Sequence, residues 1–554
     1  MCKPQNTPDV QPVARRYDMD AIRGGTMVLV VTVHASLSLY IGMPWVFSDS
    51  TQNVTTTLLI NFLMATPVPI FFMISGYFTE QTLQRYGVKG MLRRRFRSVL
   101  RPFLIAAVTV LPIAFVSIWL LSQETDSSAE RPSRGFESVW DAVRNGTLED
   151  VREQLASNAA DRRANPYLGY GSSSLHLAAY LGRLDMLALL LRHGGEIEAL
   201  DLNGNRPLHA AALFGRAEVF KTLRREGALL DAHNREGKTP LDMLAVDWRR
   251  TRTMAYWLDI ELTESEVWAG RAEIRASLGL PPHQPFSVWA RLVHFLDSLP
   301  GLLHLWFLWT LWSLTVLYAG YAALANRLPW LRPSQCIVLS PLGIGVWALV
   351  AFCGIEMTES FYISFAPKAE TTILNRWPAL LLYGSFFFWG AWYFNCQREE
   401  ERFGRYWRLT LPVVLVVIFP VGIELVYGFW GFRDLFGAQE AQVFFANVLV
   451  VLFVWLALYS IIGLARDHLG RPNRAFSLLY AGSFWVYLVH MPVAIVAQWA
   501  FLHVPVPGLV KLVLLSIITL AVPLLPYLYI IRGTWLDHFI HGRQLKEPQM
   551  GRAN

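Results

Sequence analysis

The sequence predicts an all-α protein: a polytopic membrane helix bundle of about ten transmembrane helices, interrupted by an inserted helical solenoid. Three observations predict it. Of 554 residues, 53% are hydrophobic and only 16% charged, against roughly 25% charged in soluble proteins. The apolar residues gather into blocks of about 20, the length at which a helix crosses some 30 Å of hydrocarbon. The charge is also divided. Residues 123–285 carry 20 basic and 24 acidic side chains, whereas the rest of the chain has 29 basic and 18 acidic, so the overall +7 hides two environments. The excess Lys and Arg sit between apolar spans, the pattern of membrane loops; membrane lipid is the expected surroundings and no nucleic acid is expected as a partner. Cys2, Cys336, Cys353 and Cys396 lack metal-like spacing, so neither a metal site nor a disulfide framework is expected.

The chain opens MCKPQNTPDVQPVARRYDMDAIR, which is polar, so no cleavable signal peptide is expected and the first span directs insertion. Candidate spans lie near 24–46, 57–78, 102–122, 302–325, 335–354, 378–396, 409–431, 443–464, 477–503 and 508–531. With the N-terminus in the cytoplasm, the inside segments hold 24 Lys and Arg and the short outside loops hold three, Lys368, Arg376 and Arg433. The positive-inside bias therefore predicts a bacterial inner-membrane protein with both termini cytoplasmic. The same topology puts the link between spans three and four on the periplasmic side.

That link, residues 123–301, separates a first membrane part (1–122) from a second (302–554). Gly171, Gly204 and Gly237 are spaced by 33 residues, as are Leu175, Leu208 and Leu241, and His176 repeats as His209. A fixed period of about 33 marks a stacked repeat. The blocks SSLHLAAYLGRLDMLALLLRHGG and RPLHAAALFGRAEVFKTLRREGA resemble ankyrin repeats, with degenerate copies on either side over about 137–260. The two histidines occupy structural positions in their repeats, and residues 123–136 and 262–300 read as tethers to the membrane. Such stacks present a concave face that binds protein, so a protein partner is expected there.

In the first span Arg23 and His34 are eleven residues apart, which on a helix is about 20° past three turns and about 16 Å of rise. They share a face, and Asp20 joins it one turn below Arg23. An ionisable group inside a membrane is costly and is a functional candidate; the residues alone also admit a histidine bonded to a neighbouring helix and an arginine that anchors topology. Further along stand Pro69-Ile-Phe-Phe-Met-Ile-Ser-Gly-Tyr-Phe78, the cluster Arg93, Arg94, Arg95 and Arg97, then His304-Leu-Trp306, Tyr487-Leu-Val-His490-Met-Pro492, and Glu424 in an apolar stretch.

In this order these motifs resemble the acyltransferase type 3 family of membrane enzymes, over all the spans. The resemblance implies transfer of an acyl group, succinyl or acetyl, from cytoplasmic acyl-CoA to a hydroxyl of an envelope saccharide such as an osmoregulated glucan, with no resident cofactor. Its implied catalytic roles are His34 as base or acyl carrier and Arg23, oriented by Asp20, at the phosphates or thioester end of the acyl-CoA donor. Arg93, Arg94, Arg95, Arg97, Ser75 and Tyr77 are expected on the donor side, and His304, Trp306, His490 and Glu424 on the acceptor side. The chemistry suits these types, because a neutral imidazole takes a hydroxyl proton near neutral pH and a guanidinium grips phosphate in a planar fork. The competing reading is a non-enzymatic transporter or scaffold with an ankyrin domain.

Overall fold

The computed structural model describes residues 16–40, 45, 47, 49, 51–127, 138–157, 172–201, 203–234, 237–258, 260–282, 301–332, 335–358, 365–367, 377–396, 403–437 and 439–540. Cys2, Gly171, Lys368, Arg376 and residues 128–136 and 283–300 of the two linkers lie outside them. All regular structure among the described residues is helical.

Among the described residues, seven helical runs are long and apolar enough to cross a membrane: Tyr17–Leu39, Val54–Leu121, Leu303–Arg327, Trp407–Tyr427, Ala441–Leu469, Arg474–Phe501 and Gly508–Ile531. The Val54–Leu121 run contains two of the predicted spans. Those near 335–354 and 378–396 fall on the shorter Pro341–Glu356 helix and on Trp377–Phe394. The first helix starts at Tyr17, seven residues before the predicted boundary, and takes Asp18 and Asp20 into its first turn. Acidic groups there complement the helix dipole, so polarity alone misplaced its start.

The bundle is organised around the Pro67–Arg95 and Trp377–Phe394 helices, which cross at Gly76 and Gly390. A Cβ on Gly76 would lie 1.9 Å from the Phe387 carbonyl oxygen, and one on Gly390 would lie 2.1 Å from that of Met73. Backbones approach this closely in a bilayer only through small residues. The Ser-Gly-Tyr motif is thus in part a packing device.

The insert has a separate apolar core running from Val139 to Ile274. Helix pairs Val139–Asn145 with Leu148–Ser157, Ser174–Leu181 with Leu184–Arg192, and Pro207–Leu213 with Ala217–Arg225 form the stack, and Trp248–Trp257 follows. One boundary differs from expectation. Residues 264–277 are not a tether but a helix packed on the last repeats, held by Arg271, which is 1% exposed. Its guanidinium donates to the carbonyls of Leu213 and Val246 and to Thr251 Oγ1 at 2.7 Å. Burial pushes its pKa down to about 10, so it stays charged. Replacing Arg271 by Met strands two buried carbonyls and is expected to destabilise the insert by about 3 kcal/mol. Thermal unfolding of residues 137–280, which carry that core, measures it; an unchanged Tm would contradict this role.

His176 and His209 do serve the stack. Each accepts a backbone N–H at Nδ1, from Ser173 and Arg206, and donates from Nε2 to the carbonyl 29 residues on, Asn205 and Lys238. Burial lowers both pKa values from 6.5 to about 4. Between those values the unfolded chain binds more protons than the folded one, so stability is whole above pH 6.5 and is lost as pH falls towards 4. The insert is expected to lose about 1 kcal/mol per histidine between pH 7.5 and 5.5, read as a falling Tm that His176→Gln partly abolishes.

Candidate functional site

Four segments build the site: the Tyr17–Ser36 helix, the Pro67–Arg95 helix with the turn after it, the start of the Trp306–Arg327 helix, and the Arg474–Phe501 helix. The first packs along the last, which brings His34 to His490 with Nδ1 and Nε2 3.0 Å apart. His304 completes a group of three imidazoles, its ring centroid 4.9 Å from His490 and 6.4 Å from His34.

Each ring is held by backbone. His490 Nδ1 lies 2.8 Å from the Tyr487 carbonyl oxygen and 3.2 Å from that of Val486. His304 Nε2 donates to the Leu488 carbonyl at 3.1 Å, and its buried Nδ1 has no partner among the described residues. The Tyr487 hydroxyl donates to the His304 carbonyl. That bond steadies a backbone whose preceding residue, Leu303, sits in the left-handed region at φ 43°, a conformation that costs on the order of 1 kcal/mol outside glycine. Gln498 fixes the other side: its amide donates to the carbonyls of His34 at 2.8 Å and Ala35 at 3.1 Å, and its oxygen accepts from Trp45.

Beside Tyr487 a cavity of about 220 Å³ opens towards Arg23, lined also by Ser75, Arg95, Ser98 and Tyr480. Arg23 lies over the Tyr480 ring, 5.1 Å from its centroid. Arg95 donates from Nη2 to the Ser75 carbonyl at 2.9 Å, and its buried Nε has no partner among the described residues. Two cations facing one cavity, one with an idle donor, suit a bound anion.

The expected residues therefore divide. His34, His304 and His490 come together; Arg23, Arg95 and Ser75 share the cavity; Asp20 is buried one turn below Arg23. Of the arginine cluster only Arg95 lines the cavity, because successive helical residues turn by about 100°. Arg93 and Arg94 are exposed, with Arg94 stacked 3.6 Å from the Tyr86 ring centroid, and Arg97 is half-buried. Tyr77 is two residues from Ser75 and so faces away, packing on Phe394 and Tyr393. Trp306 is buried against Tyr383, a wall of the interior and not an interface anchor. Glu424 departs furthest from its expected acceptor role. Its carboxylate accepts the backbone N–H groups of Trp430, Phe432 and Arg433 at 2.7–2.9 Å, closing the turn after its helix.

Sequence reasoning gave no role to Tyr480, Ser483, Tyr487 or Gln498, although Tyr487 stood in the motif that ends at Pro492. The first three precede His490 by ten, seven and three residues, a helical stripe that was readable from spacing. Gln498, five turns after Tyr480, lies on the same stripe.

A helical membrane bundle with three grouped imidazoles and, next to them through Tyr487, a cationic cavity defines the class, and comparison with known sequences places it. The sequence model of the acyltransferase domain matches residues 16–132 and 263–528, more than half the chain, and that of the ankyrin repeats matches within 139–263. The chain is a membrane protein belonging to the acyltransferase type 3 family and carries inserted ankyrin repeats. Among curated relatives it is similar to Glucans biosynthesis protein C of Salmonella enteritidis PT4 (strain P125109), Salmonella heidelberg (strain SL476) and Salmonella agona (strain SL483). Each is 30% identical over 116 residues, which is 21% of this chain and 30% of the relative. The match thus spans less than a third of the length of those relatives.

Proposed function

We propose that the protein is a membrane O-acyltransferase that moves a succinyl or acetyl group from cytoplasmic acyl-CoA to a hydroxyl of an envelope saccharide, such as an osmoregulated glucan. Family membership supports the reaction class, and the relatives' name supports the glucan. The observation that carries the mechanism is the placement of His34 against His490, whose neighbour Tyr487 lines the cavity walled by Arg23 and Arg95.

In this reading the arginines hold the phosphates of the donor at the inner face, and the thioester reaches up the cavity. His34 takes the proton of the saccharide hydroxyl as its oxygen bonds to the thioester carbon. The C–S bond then breaks, and the imidazolium returns the proton to the departing thiolate, so the imidazole ends neutral. Orientation follows the charge bias of the loops, with the insert in the periplasm, where its repeats recruit a protein partner or hold the acceptor.

Mass spectrometry of periplasmic glucans from a deletion strain tests the proposal. A succinyl or acetyl substituent that disappears on deletion and returns with the wild-type gene supports it; an unaltered set of envelope saccharides refutes it.

A further inference from the structure

Carbonyl oxygens accept hydrogen bonds and do not donate them. His490 Nδ1 faces two, those of Tyr487 and Val486, so Nδ1 carries the proton. A neutral His490 then has its lone pair on Nε2, the atom 3.0 Å from His34 Nδ1. A nitrogen that accepts needs a donor opposite, so His34 is protonated at Nδ1 and its lone pair lies on Nε2. Carbonyls of the Arg474–Phe501 helix thus bear on the proton position of a ring 456 residues away in sequence.

We infer that His490 is a positioning residue: it holds His34 in the Nδ1–H tautomer and makes Nε2 the basic nitrogen, and it does not contact the acceptor saccharide. The inference rests on the acyl-transfer reading only for its catalytic meaning; the tautomer itself stands on the hydrogen-bond pattern. The same pattern explains why His490 is fully buried, which suits a residue that acts through another ring and not one that meets a sugar. The third imidazole does not compete for the task. His304 spends its own N–H on Leu488 and points no donor at His34 among the contacts described. Gln498 supports the geometry by holding the His34 carbonyl, and the Val30 carbonyl, one turn back on the first helix, accepts from the same ring, so His490 and the helix's own backbone hold it together.

A wrong tautomer removes the base while leaving substrate contacts in place. Replacing His490 by Leu is therefore expected to lower kcat by about 100-fold, with KM for both acyl-CoA and saccharide within about twofold of wild type. His490→Gln keeps an oxygen acceptor near the former Nε2 and is expected to restore kcat to within about tenfold of wild type. Nitrogen-15 NMR of histidine-labelled protein in lipid reads the tautomer directly, with His34→Gln used to assign the signals. The expected spectrum shows His34 protonated at Nδ1 in the wild type and in His490→Gln.

A wild-type spectrum with His34 protonated at Nε2 would overturn the inference whatever the activity. So would His490→Leu with unchanged kcat, or with a raised saccharide KM at unchanged kcat, the mark of an acceptor contact. Should His490→Leu fail to insert, the wild-type spectrum and the Gln variant decide. Wild type that transfers no acyl group with the expected His34 spectrum would refute the enzyme reading and uphold the tautomer.

Discussion

His34→Ala is expected to abolish acyl transfer, lowering kcat by at least about 10³-fold, the range for losing a general base that has no substitute. Two neighbouring imidazoles do not rescue it. His490 Nε2 stands one ring behind the place of the lost base, and His304 is held by its bond to the Leu488 carbonyl, its Nδ1 buried without a partner among the described residues. The variant keeps its fold, because His34 is only part-buried and its backbone bonds to Gln498 survive the loss of the ring. Complementing a deletion strain with His34→Ala and following the glucan substituent by mass spectrometry measures the effect, with membrane-inserted protein quantified in parallel. Transfer at the wild-type rate would remove His34 from the mechanism.

Arg95→Met is expected to raise the KM for acyl-CoA by roughly 10- to 100-fold, the loss of one or two charge-assisted bonds to phosphate. The fold tolerates it, since the Ser75 carbonyl that Arg95 leaves still accepts from Thr79 Oγ1 at 2.6 Å. Arg95→Lys keeps the charge but loses the fork and falls between. Arg93→Ala and Arg94→Ala, both exposed, are expected to change KM by less than about threefold. Donor saturation curves in membrane vesicles separate these cases; equal effects at all three positions would mean a diffuse electrostatic attraction and not a site.

What the sequence made legible, and what it hid, follows from the reach of each signal. His34 and Arg23 stood out because charge inside an apolar run is expensive and the helix period is fixed. The repeats stood out because they recur. The pairing of His34 with His490 joins two helices remote in the chain, and one sequence holds no measure of that proximity. Glu424 and Tyr77 show a related limit. A polar residue in a membrane segment announces that it needs partners, but not whether those are substrate or protein backbone; for Glu424 they are three peptide N–H groups. The Glu264–Ser277 helix was missed as part of the stack because Arg271 binds it through carbonyls, leaving no repeat signature.

The insert enters a stretch from which the site takes nothing. The site draws its groups from residues 23–34, 75–98, 304–308 and 480–498, and the insert lies between the second and third of these. Lengthening a surface connection raises its closure entropy only logarithmically, on the order of 2–3 kcal/mol even for a link grown tenfold or more. Because the four segments are joined by packing and not by chain continuity across that gap, the family core has an acceptor port for new modules there. A descendant that exchanged its ankyrin stack for another folded module would inherit the transfer site unaltered.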